Sequence, residues 1–178
     1  LSLLRFAIGS GVLVLAGIVV QRARFFAIAP ADFLRLALLG LFGIVGMSVL
    51  LFFGQQTTSA GNGAMLMQLS PLFILLLGMF IGERVTLGNA AGCLLALLGT
   101  MLVVDVITPR GIAIDAGHLT GDLLVVAAAA CWAIYSVAGK PVVERIGGYR
   151  ATAWAMFFGA LELVILRVCV PMTTIWPM

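Results

Sequence analysis

Long apolar runs, interrupted by short clusters of charge, proline and glycine, set the rhythm of this chain. Six runs stand out, at roughly 3–21, 33–54, 58–81, 86–106, 120–140 and 151–171. Each is close to the ~20 apolar residues that an α-helix needs to cross a bilayer. The breaks are chemical: "QRARFFAIAPAD" carries arginines and a proline, "GERVT" and "KPVVERIGGYR" read as charged turns, and "DVITPRGIAIDAGHLTGD" is the longest polar connection. The runs are apolar on every side, which excludes amphipathic helices lying on a soluble core. No ten-residue alternation recurs, so a membrane β-barrel is not expected. The pattern predicts an all-α membrane protein, a polytopic helical bundle of six transmembrane helices.

Composition supports that class. Apolar residues make up 63% and charged residues 10% of the 178 positions, where a soluble domain is about half apolar and about a quarter charged. A chain of this length cannot hide that excess in one core, so lipid is the expected partner. The chain starts inside an apolar run, without a basic segment and cleavage site before it, and reads as a fragment that begins within a helix. Cys93, Cys131 and Cys169 lie in separate apolar runs and read as small buried hydrophobes.

Charge sets the orientation. Alternate connections hold Arg22, Arg24 and Arg35, then Arg84, then Lys140, Arg145 and Arg150; the other side offers only Arg110, with Arg5 and Arg167 near or within helix ends. The positive-inside rule places the first set in the cytoplasm. Asp105, Asp115, His118 and Asp122, with the turn "GQQTTSAGN", then face outward. The net charge of +3 is small and dispersed, so no nucleic-acid partner is expected. A lone histidine among loosely spaced acids does not make a zinc site, and Thr120 and Asp122 read as caps of the following helix. No HExxH, GxSxG or phosphate-cradling loop occurs, so neither an enzyme nor a cofactor is expected.

Several groups carry candidate chemistry. On one continuous helix Gln55, Thr58 or Ser59, and Asn62 would share a face that Met65 and Leu69 extend. Polar side chains in hydrocarbon need a partner or water, so this face either binds a neighbouring helix or lines a cavity. Pro71 marks a bend. Glu162 stands mid-way along the last run, where an acid is costly; it either couples a proton or meets a substrate amine, or it is structurally paired or a neutral acid. Arg5, one turn from Gly9, either holds a substrate carboxylate or reaches the interface by snorkelling. Trp132 and Tyr135, at i and i+3, form an aromatic cavity wall or a packing pair. Lys140 reads as a helix-end anchor, Glu83 and Arg84 as a cap and a topology determinant. Gly40, Gly43 and Gly46, and separately Gly88, Gly92, Ala96 and Gly99, form small-residue ridges suited to close helix approach. Such faces would also allow a homodimer.

The stretch "TTSAGNGAMLMQLSPLFILLLGMFIGERVTLGNAAGCLLALLGTMLVV" resembles the second part of an EamA repeat, the unit of the drug/metabolite transporter superfamily. The likeness rests on Thr58, Ser59, Ala60, Leu69, Ser70, Pro71, Leu72, Phe73, Gly82, Glu83 and Arg84, with Arg5 and Phe6 upstream. Downstream it rests on Gly121, Asp122, Trp132, Ala133, Tyr135 and Lys140. The resemblance implies a ten-helix transporter of two inverted repeats with its pathway between them. Residues 1–108 would be the first repeat without its first helix, 109–118 an outer loop, and 119–178 the first two helices of the second repeat. The implied function is export or exchange of small metabolites across the inner membrane by alternating access. A proton is the implied driving ion, since no nucleotide-binding segment is present. A scaffold that packs with partners and transports nothing is the alternative.

Overall fold

The computed structural model describes residues 2–26, 28–82, 85–103, 107–108, 111–112 and 119–169. Each of the six predicted runs is mainly helical over its described residues. The first is α1 (Ser2–Gln21), followed by a single turn, α2 (Ala23–Phe26). The second begins at Pro30, earlier than expected, as α3 (Pro30–Gly40), widens into a π-helical turn (Leu41–Gly46) and continues as α4 (Met47–Thr57). Its early start has local causes. Pro30 occupies the first turn, where its missing N–H costs nothing. Asp32 places a negative charge at the positive end of the helix dipole.

The third run is bent into α5 (Ala60–Met67) and α6 (Ser70–Phe80), and α7 (Leu87–Val103) follows. The strands β1 (Ile107–Thr108) and β2 (Gly111–Ile112) form a two-residue antiparallel pairing within the long connection. Helix α8 (Leu119–Ile146) and helix α9 (Gly148–Cys169) complete the chain. Four stretches among the described residues are long and apolar enough to span a bilayer: Pro30–Thr57, Ala60–Phe80, Leu119–Ile146 and Gly148–Cys169. Large apolar side chains such as Phe80, 88% exposed, cover their outer surfaces. In a bilayer such surface faces acyl chains and needs no protein cover.

The segment read as a charged turn, "KPVVERIGGYR", is mostly helix. Helix α8 runs through Lys140 and Pro141 to Ile146, and the reversal is made by Gly147 alone, at φ +86°. Only glycine takes that conformation cheaply. Lys140 is therefore inside the helix and does not end it.

Packing divides the chain into two compact units. One contains residues 1–45 and 138–178. In it α9 packs on α1 and on α3. Gly40 sits directly on α9: a Cβ there would lie 2.7 Å from the Gly159 nitrogen and 2.9 Å from the Ala155 carbonyl. A Cβ on Gly159 would lie 2.6 Å from Ile44 Cβ. This is backbone-to-backbone packing, the contact that small residues permit in lipid. Trp154 fixes the arginine-bearing end of the same unit. Its ring stacks on the fully buried Phe25 at 5.5 Å and meets Phe33 edge-on at 5.4 Å, while its Nε1–H donates to the Phe25 carbonyl at 3.3 Å. Tyr149 donates its hydroxyl to the Leu13 carbonyl at 2.5 Å.

The other unit, residues 46–137, holds α4 to α7 and most of α8. Its tight crossing pairs Gly54 with Gly121: a Cβ on Gly121 would lie 2.7 Å from the Gly54 carbonyl oxygen. The small-residue ridge of α7 behaves differently. A Cβ at Gly92 or at Gly99 would meet nothing within 4 Å among the described residues.

Candidate functional site

The polar stretch at the head of the third run lies on a corner, not on one helix. Helix α4 stops at Thr57, Thr58 is extended (φ −114°, ψ 160°), and Ser59 caps α5 by accepting from the Asn62 N–H at 3.1 Å. Two extended residues rotate the second helix away from the first, so Gln55 and Asn62 do not share a wheel. The expected single face is corrected to a corner, in which Gly63 comes back over its first arm. A Cβ there would sit 3.8 Å from both Gln55 Cγ and Thr58 Cγ2. Serine explains the break: its hydroxyl satisfies an N–H that a helix start leaves without a partner.

Thr58, buried at this corner, donates its hydroxyl to the Asp122 carboxylate in the first turn of α8. The Thr58 contact, missed in the sequence, thus ties the "QQTTSAGN" turn to the start of the fifth run, beside the Gly54–Gly121 crossing. Asp122 reads from the sequence only as a cap; in the structure its carboxylate joins two helices. Gln55 and Ser59 are exposed, and Asn62 and Met65 half-buried, on the two arms. Farther along α8, the Trp132 and Tyr135 rings meet, with centroids 5.2 Å apart and planes at 31°. Trp132 is 38% exposed.

Pro71 follows the interruption between α5 and α6, and the chain compensates for its missing donor. Proline has no N–H for the carbonyl four residues earlier, which is that of Met67. The Ser70 hydroxyl donates to that same carbonyl at 2.7 Å. The preceding residues close three-residue turns, Gln68 N–H to Met65 and Leu69 N–H to Leu66. The Ser-Pro pair is thus a bend with its own repair.

Two candidates fall in the other unit. Arg5 is exposed on α1, its guanidinium 4.8 Å above the Phe6 ring, a cation–π arrangement. The space beside Gly9 is filled by a side chain: a Cβ there would lie 3.1 Å from Met156 Cε. Glu162 lies on α9 one turn beyond Gly159, the residue that packs on Ile44. Its Oε2 is buried and has no hydrogen-bond partner among the described residues. Pairing of that oxygen is not seen among the described residues, and a neutral acid fits the same geometry.

Nothing in the sequence pattern marks Asp32 as a buried group, yet it is 4% exposed. Its Oδ1 accepts from Arg145 Nη2 at 2.6 Å and from Arg35 Nη1 at 3.4 Å. That contact brings the start of α3 against the end of α8 and places two of the arginine-bearing segments at one end, as the charge pattern requires. The residues Glu83, Arg84, Asp105, Arg110, Asp115 and His118 lie outside the described residues.

Comparison with known proteins places these features in a family. The EamA-like transporter family matches residues 1–105 and 119–177. The "Probable terminal-alkyne amino-acid exporter" of Streptantibioticus cattleyicolor is 32% identical over 174 residues, covering 93% of this chain and 53% of that protein. The "Uncharacterized transporter YyaM" of Bacillus subtilis (strain 168) is 31% identical over 134 residues, covering 73% of this chain and 43% of that protein. A solved crystal structure superposes with a TM-score of 0.73 over 99% of this chain and 59% of its own, at 24% identity, a likeness of fold. The chain spans about half the length of the curated relatives it matches. On its helices, its motifs and these matches, the protein is a multi-pass membrane protein that belongs to the EamA-like transporter family.

Proposed function

We propose that this chain forms part of a transporter that exports small, partly apolar metabolites across the inner membrane by alternating access, coupled to protons through Glu162. The observation that carries the reading is the buried Oε2 of Glu162, which has no hydrogen-bond partner among the described residues, inside a membrane-spanning helix. An acid in hydrocarbon is costly and is kept where it takes up and gives up a cation. A proton is the smallest such cation and needs no nucleotide-binding segment. Family membership supports transport as the activity, and the exporter from Streptantibioticus cattleyicolor supports an amino-acid-like cargo. The corner residues Gln55, Thr58, Ser59, Asn62 and Met65, with Trp132 and Tyr135, are the proposed cavity lining, and Arg5 a proposed carboxylate contact. On this reading residues 1–108 and 119–178 belong to two inverted repeats, and the pathway is completed by the parent protein.

The test is counterflow. Vesicles carrying the parent protein and loaded with unlabelled amino acids should accumulate the labelled compound transiently. No accumulation for any amino acid, with the protein correctly inserted, would refute an amino-acid cargo; the same result with a metabolite panel would refute transport. A second reading, a scaffold that packs with other helices, is favoured by one feature: the open glycine positions of α7, where a Cβ at Gly92 or Gly99 meets nothing among the described residues. It predicts no counterflow and loss of a partner when these glycines are enlarged.

A further inference from the structure

We infer that Asp32 is the fixed half of a latch that holds the arginine-bearing end of α8 against α3, and that Arg145 is the half that lets go; the inference rests on the alternating-access reading above. Asp32 is a buried carboxylate, its side chain 6% exposed, held by two arginines of different kinds. Arg35 comes from its own helix at i+3 and moves with it. Arg145 comes from the last turn of α8, binds more closely (2.6 Å against 3.4 Å), and is 47% exposed. Stripping the partner from a buried charge ordinarily leaves a costly unpaired ion. Here the release of Arg145 leaves Asp32 with Arg35 and with the positive end of the α3 dipole. One partner holds the latch shut, and the other makes its opening tolerable.

The end of α8 is built to move. Pro141, inside the helix, has no N–H for the carbonyl one turn earlier, which weakens the helix four residues before Arg145. On the far side Gly147, at φ +86°, followed by Gly148, makes the reversal into α9. The segment between carries Arg145 and two buried side chains, Val142 (1% exposed) and Ile146 (7%). Arg145 is braced by its Nε–H, which donates to the Pro141 carbonyl at 3.2 Å, so its guanidinium is carried with the segment. A tip bounded by a proline and a glycine reversal, and tied to α3 among the described residues by the Arg145–Asp32 ion pair, can part from α3 as a body.

The experiment places a cysteine at Val142 (V142C) in the parent protein with Cys93, Cys131 and Cys169 changed to serine. Labelling by a membrane-impermeant maleimide is followed from the arginine-bearing side. R145Q should speed labelling by about two- to fivefold, the size expected for loss of a half-exposed ion pair, and D32N should do the same. R35Q should label no faster than the parent, because it removes only the group that makes the open form tolerable. A bridge in a tip that cannot part from α3 predicts otherwise: neither R145Q nor D32N would speed labelling. Equal acceleration by R35Q and R145Q, or acceleration by neither R145Q nor D32N, overturns the latch. R145Q alters a half-exposed side chain, so the comparison with R35Q stands even if D32N fails to fold. Labelling needs no transport. A failed latch with intact counterflow refutes only the latch, and failed counterflow with a working latch refutes only the transport reading.

Discussion

The Ser70–Pro71 bend makes a quantitative prediction, because one side chain substitutes for a backbone donor that its neighbour has removed. Ser70 is 6% exposed, and its hydroxyl lies 2.7 Å from the Met67 carbonyl, the group that an N–H at position 71 would have bonded. Ser70→Ala removes that donor in a setting without water. The net value of a protein hydrogen bond is about 0.5–1.5 kcal/mol, and an acceptor left buried costs about 1–3 kcal/mol. Hydrogen bonds measured inside membrane proteins average nearer ~0.6 kcal/mol, with a maximum of ~1.7. The expected loss is therefore about 1 kcal/mol.

The sharper test is its dependence on the neighbour. Pro71→Ala restores a backbone N–H to position 71, which can reach the Met67 carbonyl. In that background the serine becomes redundant, and Ser70→Ala should cost only a few tenths of a kcal/mol, roughly the spread of additive pairs. The four proteins of this cycle would be unfolded by titrating SDS into mixed micelles, with tryptophan fluorescence as the readout. A coupling of about 1 kcal/mol supports the repair. Equal costs of Ser70→Ala in both backgrounds would refute it, since the hydroxyl would then be acting independently of the proline.

Three other outcomes follow from the packing. Gly159→Ala places a methyl 2.6 Å from Ile44 Cβ and should destabilise by about 1–3 kcal/mol in the same titration, while Gly92→Ala should be nearly neutral. Thr58→Val keeps the shape of the corner but deletes the donor to Asp122; it should destabilise by about 1.5–3 kcal/mol, as for a hydrogen bond to a charged group, and Asp122→Asn should soften that penalty. Trp154→Ala empties the cluster around Phe25, Phe33 and Phe158 and should cost about 3–5 kcal/mol, read as loss of the folded fraction after extraction.

The helices were legible because lipid leaves the sequence few choices: a long apolar run must bond its own backbone, and a helix does so within the segment. Position within the helix was less legible where a single residue decides it. A wheel through Gln55 and Asn62 assumes continuity, and the Ser59 cap breaks it. The signal was present, since serine three residues before a free N–H is a helix start. Proline and charge in "KPVVERIGG" suggest a turn, yet the helix tolerates Pro141 and stops only where Gly147 supplies a positive φ. Glycine spacing identified surfaces capable of close approach but not their partners. Gly40 meets Gly159, whereas the equally regular ridge of α7 has open positions. Asp32 was invisible because its main partner is far away in sequence, and nothing local distinguishes a buried first-turn aspartate from an exposed one. Glu162 was visible for the opposite reason: an acid inside an apolar run is conspicuous whatever its neighbours.

The most direct test of the account is therefore the pH dependence of counterflow in vesicles carrying the parent protein or its Glu162→Gln variant, at two imposed proton gradients. If the Glu162 carboxyl carries the coupling proton, the parent's concentrative transport follows the gradient and the variant's does not, although the variant still exchanges substrate. A variant that responds to the gradient just as the parent does would contradict the account.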